Sequence, residues 1–174
     1  MIRERDQRTG QATGVKIDRL LSDVLLSELL TPSEDLWLMS PWITDIEVLN
    51  NTGGVYDSAF NNPLNRTYLF AEILGLLTHA GSMLRVITRT GMSVQFLDHL
   101  QHQANPDNLR IIRDETIYHE KTFCGDDWQI TGSMNYTFHG MHRNDERSRY
   151  LLDPTSAALT RVEFTQRFGG QPWE

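Results

Sequence analysis

Two strand-like segments, Thr116–Cys124 and Trp128–Thr131, flank the polar tripeptide Gly125-Asp126-Asp127, and no other segment constrains the fold as tightly. Runs of this length separated by Gly and Asp read as a β-hairpin. Side chains alternate along a strand, so Ile117, His119, Lys121 and Phe123 fall on one face. Gly132, Ser133 and Asn135 follow the partner strand and return to the end of the hairpin where His119 and Lys121 lie. The spacing is H-x-K-x4-D-x5-G-S-x-N, with Asp126 in the turn, and the chain carries it once. A histidine beside a lysine places a nucleophile next to a fixed positive charge. That is the minimum equipment for attacking an anionic phosphate ester.

The rest of the chain alternates helical and extended patterns. Residues 1–14 are polar and read as a flexible tail, leaving 15–174 as one domain, since 174 residues support a single core. Helical spacing of apolar residues predicts a helix over Val15–Leu30, stopped by Pro32. Leu36–Met39 reads as a strand, followed by the turn Ser40-Pro41-Trp42-Ile43, and Asp45–Arg66 as a long loop. Helices are expected over Thr67–Ala80, Met92–Gln103, part of Asn135–His142 and Thr155–Phe168, with strands over Met83–Thr88, Leu109–Arg113 and Arg147–Leu152. This order predicts an α/β fold, a mixed sheet flanked by helices.

Charge distribution matters more than its sum of −7. Val15–Asn65 holds two basic residues against eight acidic ones, whereas Arg66–Tyr150 holds nine against ten. Acidity therefore gathers upstream of the motif, which leaves room for a locally positive cleft. Lys16 and Lys121 are the only lysines, so a lysine within the motif marks a place where a compact point charge is wanted. Arg85, Arg89 and Arg143 are candidates for holding phosphate groups. Trp42, beside the long loop, is a candidate for stacking on bases. Cys124 is the single cysteine, which excludes an internal disulfide and a Cys-based zinc cluster, and it reads as a packed strand residue. No apolar stretch is long enough to span a membrane and no secretory signal pattern is present, so a cytoplasmic location is expected.

The string resembles the HKD motif of the phospholipase D superfamily. The similarity continues through Gly132-Ser133-Met134-Asn135-Tyr136-Thr137, Gly140 and Asn144-Asp145-Glu146, and the Ser40-Pro41-Trp42-Ile43 turn is also family-like. The resemblance implies a phospholipase D-like αβ sandwich and metal-independent phosphodiester hydrolysis through a phosphohistidine, with no cofactor. His119 would be the nucleophile, Lys121, Asn135 and Ser133 would hold the non-bridging oxygens, and Glu146 would orient His119. The family uses two motifs per active site, so one copy implies a homodimer with a composite site. From aspartate to glycine the family has six intervening residues and this chain five, which leaves either Asp126 or Asp127 in the motif aspartate position.

A homodimeric nuclease acting on DNA or RNA is the reading favoured by size and single motif. By the same analogy it would serve in defence against foreign DNA such as phage, with partner proteins supplying target choice. The alternatives are a lipid phosphodiesterase or phosphatidyltransferase, and a non-catalytic module of a larger assembly.

Overall fold

The computed structural model describes residues 3–9, 18–116, 119–142 and 146–170. Among them, seven strands form one mixed sheet in the order β1-β9-β8-β7-β2-β5-β6. The strands are β1 (Arg3–Thr9), β2 (Asp35–Met39), β5 (Met83–Thr88), β6 (Leu109–Arg113), β7 (Lys121–Cys124), β8 (Trp128–Gly132) and β9 (Glu146–Leu152). A separate two-stranded piece pairs β3 (Glu47–Asn50) with β4 (Thr67–Leu69). The helices are α1 (Asp18–Leu30), α2 (Phe70–His79), α3 (Val94–Gln103), α4 (Phe138–His142) and α5 (Pro154–Phe168).

β2, β5 and β6 run parallel, and β7, β8, β9 and β1 add antiparallel neighbours. Strand alternation sorts the core into two layers. Leu36 and Leu38 of β2, Val86 of β5, Ile111 of β6 and Phe123 of β7 pack beneath α1, α2 and α3. Trp37, Met39, Ile87, Ile112 and Cys124 face the other way, against Phe164 and Phe168 of α5. Central strands buried on both faces need continuous apolar runs, as in Asp-Leu-Trp-Leu-Met. Cys124 is fully buried, and that burial pushes its thiol up to about 12, so it behaves as a packing residue.

The structure corrects several expectations. Arg3–Thr9 is no tail: it pairs antiparallel with β9 along its length, from Arg3↔Leu152 to Thr9↔Glu146. This edge strand shows no apolar alternation; the backbone ladder holds it, with exposed ion pairs beside it, Arg147 on Asp6 at 2.7 Å and Arg149 on Glu4 at 2.8 Å. The 45–66 stretch contains β3 and a single 3-10 turn, Asp57–Ala59. It is organised around Asn51, whose buried amide donates to Asp57 at 2.8 Å and to the Leu64 carbonyl at 3.1 Å. Thr67–Leu69 belongs to β4, so the expected helix starts only at Phe70. The motif strand begins at Lys121; Ile117 and Tyr118 lie outside the described residues, and His119 occupies a bend.

The hairpin is fastened to the body by a buried carboxylate. Glu28, 3% exposed near the end of α1, accepts the Ser33 N–H at 2.8 Å, the Ser33 hydroxyl at 2.9 Å and the Trp128 indole N–H at 2.6 Å. Burial raises its pKa above the ordinary 4.5, against the opposing pull of those donors. The folded protein thus holds this proton more tightly than the unfolded chain does. Its contribution is complete below the unfolded pKa and is lost as pH rises through the folded one. Urea titrations of wild type and Glu28→Gln are therefore expected to diverge in the variant's favour as pH rises from about 4 to about 8. A pH-independent difference would contradict this role.

Candidate active site at the carboxyl end of the parallel strands

Ligands of parallel α/β sheets gather outside the carboxyl ends of the strands, and the motif residues converge there. β2 ends at Met39, paired with Thr122, so Ser40 arrives beside Lys121. Lys121 in turn pairs with Gly132, the last residue of β8. Gly132 must be glycine because a Cβ there would collide with the Arg147 carbonyl oxygen of β9. The chain then leaves through Ser133, whose N–H donates to the Arg147 carbonyl at 3.1 Å and whose hydroxyl accepts the Arg147 N–H at 3.2 Å.

Lys121 is 8% exposed, and its ammonium donates to the His119 carbonyl oxygen at 3.0 Å. His119 itself is exposed. The strand alternation expected across both residues does not operate, because the backbone bends at His119; the lysine head holds that bend instead. Glu120 completes the arrangement from the opposite layer. Its carboxylate pairs at 2.6 Å with Arg167 in the last turn of α5, so the residue between His119 and Lys121 is tethered to the helix below the sheet.

Asn135 is half-buried, and its Oδ1 lies 3.3 Å from the Ser40 hydroxyl, which also donates to the Trp42 carbonyl at 3.0 Å. With its oxygen engaged, the Asn135 amide presents donors, the type of group that binds a phosphate oxygen. The adjoining segments are bridged in parallel at Ile43↔Tyr136, and the Thr44 N–H donates to the Tyr136 carbonyl at 2.9 Å. Ser93, held at φ 61 in the left-handed region, turns its hydroxyl to the Ile43 N–H at 2.8 Å. A non-glycine residue in that region is a mark of structural constraint near a site.

Not every candidate reaches this end. Asp126 sits at the far end of the hairpin, where it accepts the Glu34 N–H at 2.7 Å and the Asp35 N–H at 3.3 Å, with Arg161 at 3.9 Å. It caps the entrance to β2. Arg85 lies over the Trp37 ring at 4.9 Å and pairs with Asp35, in the α5 layer and away from the motif. Arg89 is at the motif end, its N–H 3.4 Å from the Pro41 carbonyl and its guanidinium 3.9 Å from Glu115. Trp42 is 48% exposed at the same end. Glu146 opens β9, but its side chain lies outside the described residues, as does the whole of Arg143.

Sequence reasoning did not single out Ser40, Glu120 or Arg167. Ser40 carried a readable signal as the first polar residue after a buried strand. The Glu120–Arg167 pair joins residues 47 positions apart, and only the fold reveals it.

No protein-family model matches the sequence, and no curated protein sequence matches it. Solved structures do share its fold. Nuc from Salmonella typhimurium, a phospholipase D family member, superposes with a TM-score of 0.65 over 99% of both chains at 13% identity. NucT from Helicobacter pylori gives 0.63 over 95% of both chains at 12% identity. Phosphatidylserine synthase from Haemophilus influenzae Rd KW20 gives 0.59 at 15% identity, covering all of this chain and 40% of that one. An α/β sandwich with histidine, lysine and asparagine gathered at one sheet end is thus the class defined here. Its fold is that of Nuc, a phospholipase D family member.

Two substitutions separate architecture from chemistry. Asp126→Ala is expected to cost about 0.5–2 kcal/mol of stability, as loss of a cap does, while changing kcat less than about threefold; urea melts and initial rates check this. Arg167→Ala is expected to lower kcat roughly three- to tenfold with little change in Tm, since exposed pairs contribute only about 0–1 kcal/mol. The double variant Glu120→Ala/Arg167→Ala should then be no worse than either single one.

Proposed function

We propose that this chain is a phosphodiesterase that cleaves nucleic acid through a covalent histidine intermediate, with two identical chains sharing one active site. The observation that carries the reading is Lys121, a residue 8% exposed whose ammonium is bonded to the His119 carbonyl, at the same sheet end as the Ser40–Asn135 pair. A nucleophile candidate, a cation and amide donors at one sheet end are the groups that attack on an anionic ester requires, which supports the reading.

In the first step an imidazole nitrogen of His119 attacks phosphorus. An N–P bond forms, the P–O bond to the leaving nucleotide breaks, and His119 of the partner subunit gives its proton to the departing oxygen. Lys121 and Asn135, with Ser133 beside them, stabilise the charge that builds on the non-bridging oxygens. In the second step the partner's now neutral imidazole takes a proton from water, which attacks phosphorus and releases His119. Glu146 is the proposed orienting partner of His119. The end-to-end match in length to Nuc and NucT supports a nuclease over a lipid enzyme, and a cytoplasmic role against foreign DNA is the setting it suits.

Nuclease assays in excess EDTA test the reading. Activity is expected to persist in the wild type and to fall by at least about 10³-fold in His119→Ala and about 10²-fold or more in Lys121→Ala, consistent with loss of a nucleophile or of a charge-stabilising donor. Quenching a reaction on labelled DNA with denaturant at alkaline pH, where a histidine phosphoramidate survives, should trap the label on His119. A strict requirement for a divalent cation, or undiminished activity without His119, would refute it.

A further inference from the structure

Trp42 projects from a segment whose backbone is held residue by residue. The Ser40 N–H donates to the Ile87 carbonyl at 3.0 Å, and the Pro41 carbonyl accepts the Thr88 hydroxyl at 3.2 Å. The Ile43 and Thr44 N–H groups are bonded as described above, and Ile43 is fully buried. Asp45 then accepts the Ala71 N–H at 2.9 Å and pairs with His99. This rigid segment nevertheless leaves the indole 48% exposed. Tyr56 and Phe60, the neighbouring aromatic residues, pack on the core instead, and Phe60 stacks on Tyr68 at 4.4 Å.

A second ring stands nearby. Phe138, 51% exposed, opens α4 two residues after Tyr136, whose bridge to Ile43 sets the two segments side by side. Two half-exposed rings therefore flank the sheet end that carries His119 and Lys121. Polar Ser133 and His139 on the same segment are also exposed, with the His139 ring 5.9 Å from that of Phe138, so the apolar area is small. A stable interface between copies buries roughly 800 Å² per partner and needs a continuous apolar centre.

Electrostatics narrows the occupant. Duplex DNA is held mainly through its phosphates by Lys and Arg. Among the described residues, seven arginines already face carboxylates: Arg66, Arg85, Arg89, Arg147, Arg149, Arg161 and Arg167. The net charge of −7 adds a general repulsion. Stacking needs no such cations and contributes about 1–3 kcal/mol per base, but only a base outside a duplex offers its faces. We infer that Trp42 and Phe138 form a stacking platform for unpaired nucleobases beside the scissile phosphate, so that the site selects single-stranded over duplex nucleic acid. This rests on the nuclease reading above and names its substrate.

Fluorescence anisotropy with the full-length His119→Ala protein reads binding apart from cleavage, using labelled oligothymidylate, a duplex of equal length and a strand of abasic units. The single strand is expected to bind at least about tenfold tighter than the duplex, with a shallow salt dependence. Adding Trp42→Ala or Phe138→Ala should weaken single-strand binding roughly 5- to 100-fold, the span of one lost stacked base. Trp42→Phe should retain most of the affinity, and the abasic strand should show little of the loss. Equal affinity for single strand and duplex would overturn the inference, as would wild-type binding in both ring variants. Equal losses on abasic and base-bearing strands would also overturn it, and would place the rings between copies of the chain. Absence of His119-dependent cleavage in the EDTA assay would instead sink the catalytic reading alone.

Discussion

An ammonium drawn almost out of water and fastened to the backbone of the preceding histidine is the contact on which this site turns. A desolvated cation is costly unless oxygen ligands surround it, and Lys121 takes one of them from the His119 carbonyl. That bond bends the chain just where the nucleophile candidate must leave the sheet. It also holds a positive charge at the carboxyl end of the parallel strands.

The remaining architecture keeps that bend in place. Below the sheet, Arg167 of α5 holds Glu120; above it, the Ser40 hydroxyl joins the end of β2 to Asn135. At the far end of the hairpin, Asp126 and Ser33 knit the turn to the start of β2, and Glu28 ties both Ser33 and Trp128 to α1. The motif thus divides by position. Its histidine, lysine and asparagine lie at the carboxyl end of the parallel strands, while its aspartate closes the opposite end of the same hairpin.

How much of this could be read from residues alone depended on the range of the interaction. Short, largely apolar runs in Leu36–Met39, Met83–Thr88 and Leu109–Arg113 report burial that each strand experiences locally, so those elements and the mixed α/β sandwich were visible. The Gly-Asp-Asp turn likewise announced the hairpin. Arg3–Thr9 was opaque because its backbone ladder pairs it with a strand far along the chain (Asp6 and Arg147 are 141 positions apart), while its own residues look like an unstructured polar tail. Arg85 resembled a groove residue until Asp35 and Trp37 claimed it from the same layer. Trp42 could be picked out as an aromatic near a turn, but only the bonding of its neighbours shows that the segment is rigid while the ring is exposed.

The account stands or falls on whether two copies of His119 serve one phosphate. Heterodimers purified with distinct tags, one subunit wild type and the other His119→Ala, measure this directly by single-turnover cleavage of a labelled strand in EDTA. The shared-site account requires a rate near that of the doubly substituted dimer, because the nucleophile or the acid is missing from the only site. A rate at or above half that of the wild-type dimer would show that each chain completes the reaction alone.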